Sequence, residues 1–561
     1  MTTGRPEASG RTERAGRLGL AAMGLSAALT FTVAAAGTSV MEPALPGLPG
    51  QPPWAFSAHL SGYLAVGMAG AALALGAAGL ALALRAARGG WLVPARTVLI
   101  AGLLAAAAVT LVPPFGSSDQ LSYAAYGRML VTGHDPYTTT AAQLAALGDP
   151  VARAVQDWFT TPSVYGPLAT GIQGLASLVG ATSARLTVFV LDLANLAAFA
   201  GTAAALDHMT RGDPGRRLRA ALLWTANPLL LQLLVAGAHV DLQAAAFAVC
   251  AVAVMYGAPA TGRAPSSAPG PAPSPTQARA ALAGVLAGLG AAVKVSDVLV
   301  AVGLAVALVL RPWPSRRRLA PLASLAAGFA ATAAMATGIG GPAMLRQLSR
   351  ESDLVSIGSP WRVIRAIIQA AGAGTAATDV VKAGAAALAV TLAVLLIRGL
   401  LPVTTTWLPQ RRAPDDMVAA TTRCAVGWDA GAVVAFALVV AWLFAWPYVL
   451  PWYDALAWAL LPLVPVGTAI GKVTAAEGTC WLLLGRTTAL GLGYLPAREA
   501  DVALPRGLSW LELVIRHGVT PAVLAAATAW LVMLMVRSGR AMRSAPPPGT
   551  TDLTPAGVNA P

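Results

Sequence analysis

Long apolar stretches separated by short polar turns run from one end of this chain to the other. Many hold about 18 or more apolar residues, enough to cross a hydrocarbon core of about 30 Å as a helix. The pattern places about fourteen spans (12–14), near residues 17–36, 60–84, 92–112, 184–206, 218–236, 240–256, 279–293, 296–310, 319–339, 380–398, 428–446, 454–471, 475–494 and 517–536. The expected fold class is therefore all-α, a polytopic transmembrane helical protein. The stretch 163–181 is apolar too, but Gly166-Pro167, Gly171 and Gly174 interrupt it, and it reads as a surface or re-entrant helix.

Punctuation between the spans sets the organisation. Residues 1–17 read as a disordered, cytoplasmic N-terminus, and 541–561 as a disordered, cytoplasmic tail. Between them lies one transmembrane catalytic domain, 18–540, interrupted at 257–278 by a Pro/Ala/Ser linker on the inner side with too little apolar content to fold. The first apolar run follows Arg5, Arg11, Arg14 and Arg17 and is long enough to stay as an uncleaved helix rather than act as a signal peptide.

Composition agrees with the pattern. The 561 residues are 56% hydrophobic and 11% charged, with a mean hydropathy of +0.66; a soluble chain carries about 25% charged residues. The net charge of +14 becomes informative once the spans are alternated from an inner N-terminus. The inner side then receives Arg85 and Arg88, Arg211, Arg216, Arg217 and Arg219, Arg311 and Arg316 to Arg318, Arg411 and Arg412, and Arg537 and Arg540, as the positive-inside rule requires. The basic residues form no patch with aromatics, which argues against nucleic acid as a partner. Cys250, Cys424 and Cys480 are too scattered for a disulfide framework or a metal site.

With this topology the unusual polar residues gather on the outer side. Asp119, Tyr123, Tyr126, Arg128, Asp135, Tyr137 and Tyr165 lie in the first large outer stretch, His239 and Asp241 in a later turn, and Lys294 between two apolar spans. Arg346, Arg350 and Arg362 fall in the outer stretch 341–379, and Trp452 and Tyr453 follow a span near 446. Each has a plainer reading as well. Asp119 can begin a helix as a cap, His239 and Asp241 can close a turn, Lys294 can snorkel to the interface, and the Trp/Tyr cluster can form an interfacial belt. As a set, they suit a site outside the membrane. Nucleotide-activated donors are made in the cytoplasm, and no P-loop or dinucleotide fingerprint is present, so a donor at this face would be carried on a membrane lipid. Glycosyl transfer from a polyprenyl phosphate needs a carboxylate base, for which Asp119 is placed. It also needs positive charge at the leaving phosphate, for which Lys294, Arg346, Arg350 and Arg362 are candidates.

Five stretches together resemble a known family: Ser118-Asp119-Gln120-Leu121-Ser122-Tyr123-Ala124-Ala125-Tyr126-Gly127-Arg128; Gly133-His134-Asp135-Pro136-Tyr137; Val164-Tyr165-Gly166-Pro167-Leu168; Asn227-Pro228-Leu229 with Ala238-His239-Val240-Asp241; and Pro451-Trp452-Tyr453. They are similar to the polyprenol-phosphomannose-dependent α-(1→6)-mannopyranosyltransferases of actinobacteria, the MptA/MptB group of the GT-C glycosyltransferase superfamily. The resemblance implies a GT-C-like fold and an inverting mannosyltransferase at the outer face of the plasma membrane. It implies mannose taken from polyprenyl-phosphate-mannose and added to an α-(1→6)-mannan backbone of lipomannan-type glycolipids. Asp119 matches the family's base, with Asp135 as the alternative. Val240 stands where the family pattern would place Asn, and valine cannot make an amide's hydrogen bonds. No cofactor is called for by the sequence. A divalent metal at Asp119, Asp135, His239 or Asp241 stays open, because their spacing dictates no site. A transferase for another polyprenyl-phosphate sugar and a lipid-linked sugar transporter are the competing readings; a transporter would carry its ionisable residues at mid-membrane.

Overall fold

The computed structural model describes residues 5–257, 276–310, 315–374, 376–401, 426–466, 474–496 and 506–543. The expected linker (apart from its ends), most of the expected tail, Arg311, Arg411, Arg412, Cys424 and the far end of the span near 454–471 lie outside these residues. In chain order the helices are α1 (Arg5–Ala36), α2 (Gly62–Arg88), α3 (Ala95–Thr110), α4 (Asp119–Val131), α5 (Ala141–Ala146), α6 (Pro150–Arg153), α7 (Pro167–Gly180), α8 (Ala184–Thr210), α9 (Pro214–Leu223) and α10 (Pro228–Leu230). They continue with α11 (Asp241–Tyr256), α12 (Gln277–Val293), α13 (Val298–Leu310), α14 (Ser315–Glu351), α15 (Pro360–Ile368), α16 (Ala376–Leu400), α17 (Val426–Ala445), α18 (Ala455–Leu460), α19 (Ala475–Tyr494) and α20 (Thr520–Arg543). The protein is all-α; the one β-type pairing among the described residues is an isolated bridge between Ser39 and Glu42.

Among the described residues seven helices are long and apolar enough to cross a membrane, and five more apolar helices have 10–17 residues. The count of fourteen spans is therefore not reproduced. The described part of the expected span near 454–471, up to residue 466, holds the short α18 between 3₁₀ turns. A 16-residue helix such as α3 is about 24 Å long at 1.5 Å per residue, short of the bilayer core. The chain is a multi-pass membrane protein whose shorter helices end in packed loops. Two other expectations change. Helix α1 starts at Arg5, inside the stretch expected to be disordered. Helix α14 does not end near 339 but runs on to Glu351 across a kink at Gly341, whose φ of +65° is open to glycine and followed by Pro342. Arg346 and Arg350 thus lie on a helical arm and not in a loop.

Inter-helix segments meet at two opposite ends. At one end the Phe115 amide donates to the Ala236 carbonyl at 2.8 Å and the Gly116 amide to Met41 at 2.7 Å, fixing the approach to α4. The Gly166 amide donates to the Val293 carbonyl at 3.1 Å. Ser356 Oγ donates to the Val449 carbonyl at 3.0 Å and Trp361 Nε1 to Ala445 at 2.7 Å, clipping the arm of α14 to the loop after α17. At the other end Arg88 pairs with Glu477, and Arg219 donates to the Leu461 carbonyl at 3.0 Å. Helix α4 lies close against α7 because Gly127 has no Cβ to strike the Gln173 carbonyl.

One buried ion pair joins α17, α18 and α19. Arg486 and Asp454, with side chains 2% and 1% exposed, are paired. Thr487 Oγ1 donates to Asp454 Oδ2 at 2.6 Å, Trp458 Nε1 to Thr487 Oγ1 at 2.9 Å, and Arg486 Nη2 to the Leu443 carbonyl at 3.0 Å. Removing one member leaves a buried charge alone. The Arg486→Met variant is expected to lose about 3–5 kcal/mol of stability, read by thermal denaturation in detergent, and Arg486→Met with Asp454→Leu should recover much of it. A single variant as stable as the wild type would contradict this role.

Candidate functional site

Helix α4 begins at Asp119, after the N-cap Ser118. Asp119, Ser122, Tyr123 and Tyr126 recur at helical spacing and so share one face, which lines a cavity of about 250 Å³. The start of α4 is held from the segment 154–166. Ser118 Oγ donates to the Asp157 carboxylate, and Ser122 Oγ donates to the Asp157 carbonyl at 3.1 Å. The next residue, Trp158, has φ +59°, a conformation rare for a bulky side chain, and also lines the cavity. The Asp119 amide donates to Ser117 Oγ at 3.1 Å. Asp119 is 7% exposed.

Behind Asp119 lies a layer of buried rings. Tyr165 OH donates to Tyr123 OH at 3.2 Å, with the two rings edge to face at 5.1 Å. Tyr123 OH lies 3.5 Å from His239 Nδ1, which is 3.7 Å from Asp119 Oδ2. The imidazole stacks on Trp452 at 3.8 Å. Burial, with the Lys294 charge adding to it, holds His239 well below its ordinary value, so the ring is neutral. Burial first, then the Tyr165 hydroxyl and nearby carboxylates for Tyr123, and Asp119 for Tyr165 against the opposing hydrogen bond with Tyr123, push both well above the usual phenol range. Burial raises Tyr126 as well. All three remain protonated phenols.

The opposite wall comes from three further elements. Lys294, in the turn between α12 and α13, donates to Asp241 Oδ1 at 2.6 Å, and its ammonium sits 3.5 Å from the Tyr453 ring centroid. Tyr453 OH donates to Glu351 Oε1 at 3.1 Å. Gln347, Arg350 and Glu351 reach the cavity from one face of the α14 arm, with Tyr448, Trp452 and Tyr453 beside them. Two larger clefts, about 600 and 690 Å³, are lined almost wholly by apolar side chains and hold no titratable group. The titratable side chains gather at the smaller cavity.

Of the residues singled out in the sequence, Asp119, Tyr123, Tyr126, Tyr165, Arg350, Trp452 and Tyr453 line this cavity. His239, Asp241 and Lys294 pack directly behind them. The others are engaged elsewhere. Arg128 pairs with Asp149 at 2.7 Å. Asp135 closes its own turn, accepting from the Tyr137 amide at 2.9 Å and from Thr138 Oγ1 at 3.1 Å. Tyr137 OH bonds Thr170 Oγ1 at 3.1 Å, and its carbonyl accepts from Gln347. Arg346 and Arg362 are exposed and do not line the cavity. Sequence reasoning missed Trp158 and Gln347 as site residues, and placed Glu351 among the outer-loop charges without giving it a role in the site. The helical spacing of 347, 350 and 351 was the available signal. Among the described residues no three His, Cys, Asp or Glu side chains converge in a metal-binding group.

Residues 21–311, more than half of the chain, match the sequence profile of the MptA/MptB family, described as "Alpha-(1->6)-mannopyranosyltransferase, N-terminal domain". The chain belongs to this family. The alpha-(1->6)-mannopyranosyltransferase A of Corynebacterium glutamicum is 28% identical over 126 residues, covering 22% of this chain and 25% of that protein. The match thus spans about a quarter of that curated relative. Two structures of the oligosaccharyltransferase AglB of Archaeoglobus fulgidus, one with an inhibitory peptide and a dolichol-phosphate and one in the apo form, align over 78% of this chain and 56% of theirs. Both have a TM-score of 0.33, with 13% and 14% identity. Within this chain the family match covers Asp119, Tyr123, Tyr126, Tyr165, His239, Asp241 and Lys294. Arg350, Glu351, Trp452 and Tyr453 complete the cavity from beyond it.

The neutral His239 carries a pH signature. The unfolded chain binds a proton at this side chain below about pH 6.5, whereas the folded protein does not, so stability falls as pH drops through that value. Melting temperature in detergent is expected to fall between pH 7.5 and 5.5, and less steeply for His239→Gln. Identical slopes for the two proteins would contradict a buried neutral imidazole.

Proposed function

We infer that this protein is a membrane mannosyltransferase that takes mannose from a mannosyl phosphoryl polyprenol and adds it to an α-(1→6)-mannan backbone of a lipomannan-type glycolipid. The observation that carries this reading is Asp119, a carboxylate at the head of α4 in a cavity walled by phenols and indoles, within the family-matched part of the chain. The volume of about 250 Å³ lies at the small end of ligand pockets and suits sugar units rather than a whole lipid.

The reaction balances simply. The acceptor's 6-hydroxyl attacks C1 of the donor mannose, its proton passes to Asp119, and the bond from C1 to the phosphate oxygen breaks. The polyprenyl phosphate leaves with the bonding pair, and the configuration at C1 inverts. Arg350 is the cation best placed for the leaving phosphate. Lys294, expected to share that role, is committed to Asp241 beneath Tyr453. Aromatic faces at Trp158, Trp452 and Tyr453 suit the apolar faces of sugar rings.

Orientation follows from charge. The end of the protein opposite the cavity holds Arg85, Arg88, Arg211, Arg216, Arg217 and Arg219. The positive-inside rule turns that end to the cytoplasm. The cavity then opens on the extracytoplasmic side of the plasma membrane, where a lipid-carried donor is the available one.

Mannosyl transfer in membranes, with labelled polyprenyl-phosphate-mannose and a short α-(1→6)-mannoside acceptor, tests the reading. Wild type should transfer, and Asp119→Asn at matched expression should lose about 10²–10⁴-fold. Full transfer by Asp119→Asn would remove the proposed base. No transfer by wild type with intact donor and acceptor would point to another sugar or to lipid-linked sugar transport.

A further inference from the structure

The arm of α14 beyond the Gly341 kink is built to face the cavity. Gln347, Arg350 and Glu351 share one side of it, while Leu345 on another side is 50% exposed. The arm is held in place from beneath, where Ala343 and Met344 pack on Tyr137 and Gln347 Nε2 donates to the Tyr137 carbonyl at 3.1 Å. It ends at Glu351, so the helix delivers a carboxylate into the same space as Asp119.

Glu351 is fixed on one side only. Tyr453 OH donates to its Oε1 at 3.1 Å, and Tyr453 is itself pinned by the Lys294 ammonium on its ring. An ionised carboxylate offers about four acceptor positions and no donor, and the phenol occupies one. What remains on the cavity side can take only O–H or N–H groups. A pyranose presents hydroxyls on adjacent ring carbons, a spacing that a two-oxygen acceptor can bridge. Asp119 and Glu351 line the same cavity, with Tyr126 and Tyr165 beside them, so the two carboxylates look into one space.

We propose that Glu351 is a specificity-determining residue of this cavity, accepting hydrogen bonds from ring hydroxyls of a bound sugar while Tyr453 holds its carboxylate in register. The proposal rests on the reading of the cavity as a sugar site and extends it to a residue beyond the family-matched segment. Asp119 takes the proton of the attacking hydroxyl; Glu351 takes no proton and reads hydroxyls that do not react. The sugar it reads is either the donor mannose or the terminal mannose of the acceptor.

The experiment compares wild type, Glu351→Gln and Tyr453→Phe in full-length protein, with polyprenyl-phosphate-mannose, an α-(1→6)-linked mannobioside, and deoxy analogues of each. Glu351→Gln is expected to lower kcat/KM by about 10- to 100-fold, mostly through KM for one of the two substrates, which identifies the sugar. Discrimination against the matching deoxy analogue should shrink by a similar factor. Tyr453→Phe should lose less and keep that discrimination. If Glu351→Gln and Tyr453→Phe behave alike and both retain the wild-type preference against deoxy sugars, Glu351 only anchors the phenol and the proposal is overturned. Binding of the same ligands is followed in parallel by the fluorescence of Trp158 and Trp452. Ligand binding that weakens in Glu351→Gln, in a wild type that transfers nothing, would uphold the sugar contact while removing the transferase reading. A wild type that binds neither ligand would remove both.

Discussion

Within a bilayer core no water is available to a backbone N–H or C=O, so irregular backbone is tolerated only where protein covers it. The rest of this structure follows from that constraint. Helices α3, α11, α12 and α13 are too short to run from face to face, and the described loops at one end of the bundle pack on one another. Phe115 donates to Ala236, Gly166 to Val293, and Ser356 to Val449. These exchanges draw residues distant in sequence to one end of the helix bundle. The cavity forms where they meet, with α4 on one side and the bent arm of α14 on the other.

Charge placement follows the same logic. A buried ionised group needs a partner with good geometry, and two buried pairs here each serve more than one element. Lys294 neutralises Asp241 and carries the Tyr453 ring, and Tyr453 in turn fixes Glu351. Arg486 and Asp454 do the equivalent work below, joining three helices. The rings at Tyr123, Tyr165, His239 and Trp452 stay neutral, so the charge facing the cavity comes from Asp119, Glu351 and Arg350. A carboxylate to take a proton, a second to accept from hydroxyls and a cation toward a phosphate would form the set that the proposed transfer from a lipid phosphate needs.

The sequence made the helical class legible, because apolar runs of membrane length leave little alternative, and the positions of most helices followed from their polar ends. The α4 face was legible for the same reason: Asp119, Tyr123 and Tyr126 already sit at helical spacing. Motif density was a poorer guide. Arg128, Asp135 and Tyr137 stand in conspicuous runs, yet they serve Asp149, a local turn and Thr170. Lys294 stood out as a lone charge, but its partner Asp241 is 53 residues away, a pairing no local pattern encodes. Glu351 falls in the stretch 341–379, which reads as an outer loop, with no motif to single it out. A glycine at φ +65° instead bends the helix and lets it continue.

The most direct test of the central claim is an experimental structure of the protein in lipid with a polyprenyl-phosphate-mannose bound. The account predicts mannose between Asp119 and Glu351, with its phosphate toward Arg350 and Asp119 facing the incoming hydroxyl. A donor bound in one of the apolar clefts along the helix flanks, with the cavity at Asp119 empty of sugar, would contradict it.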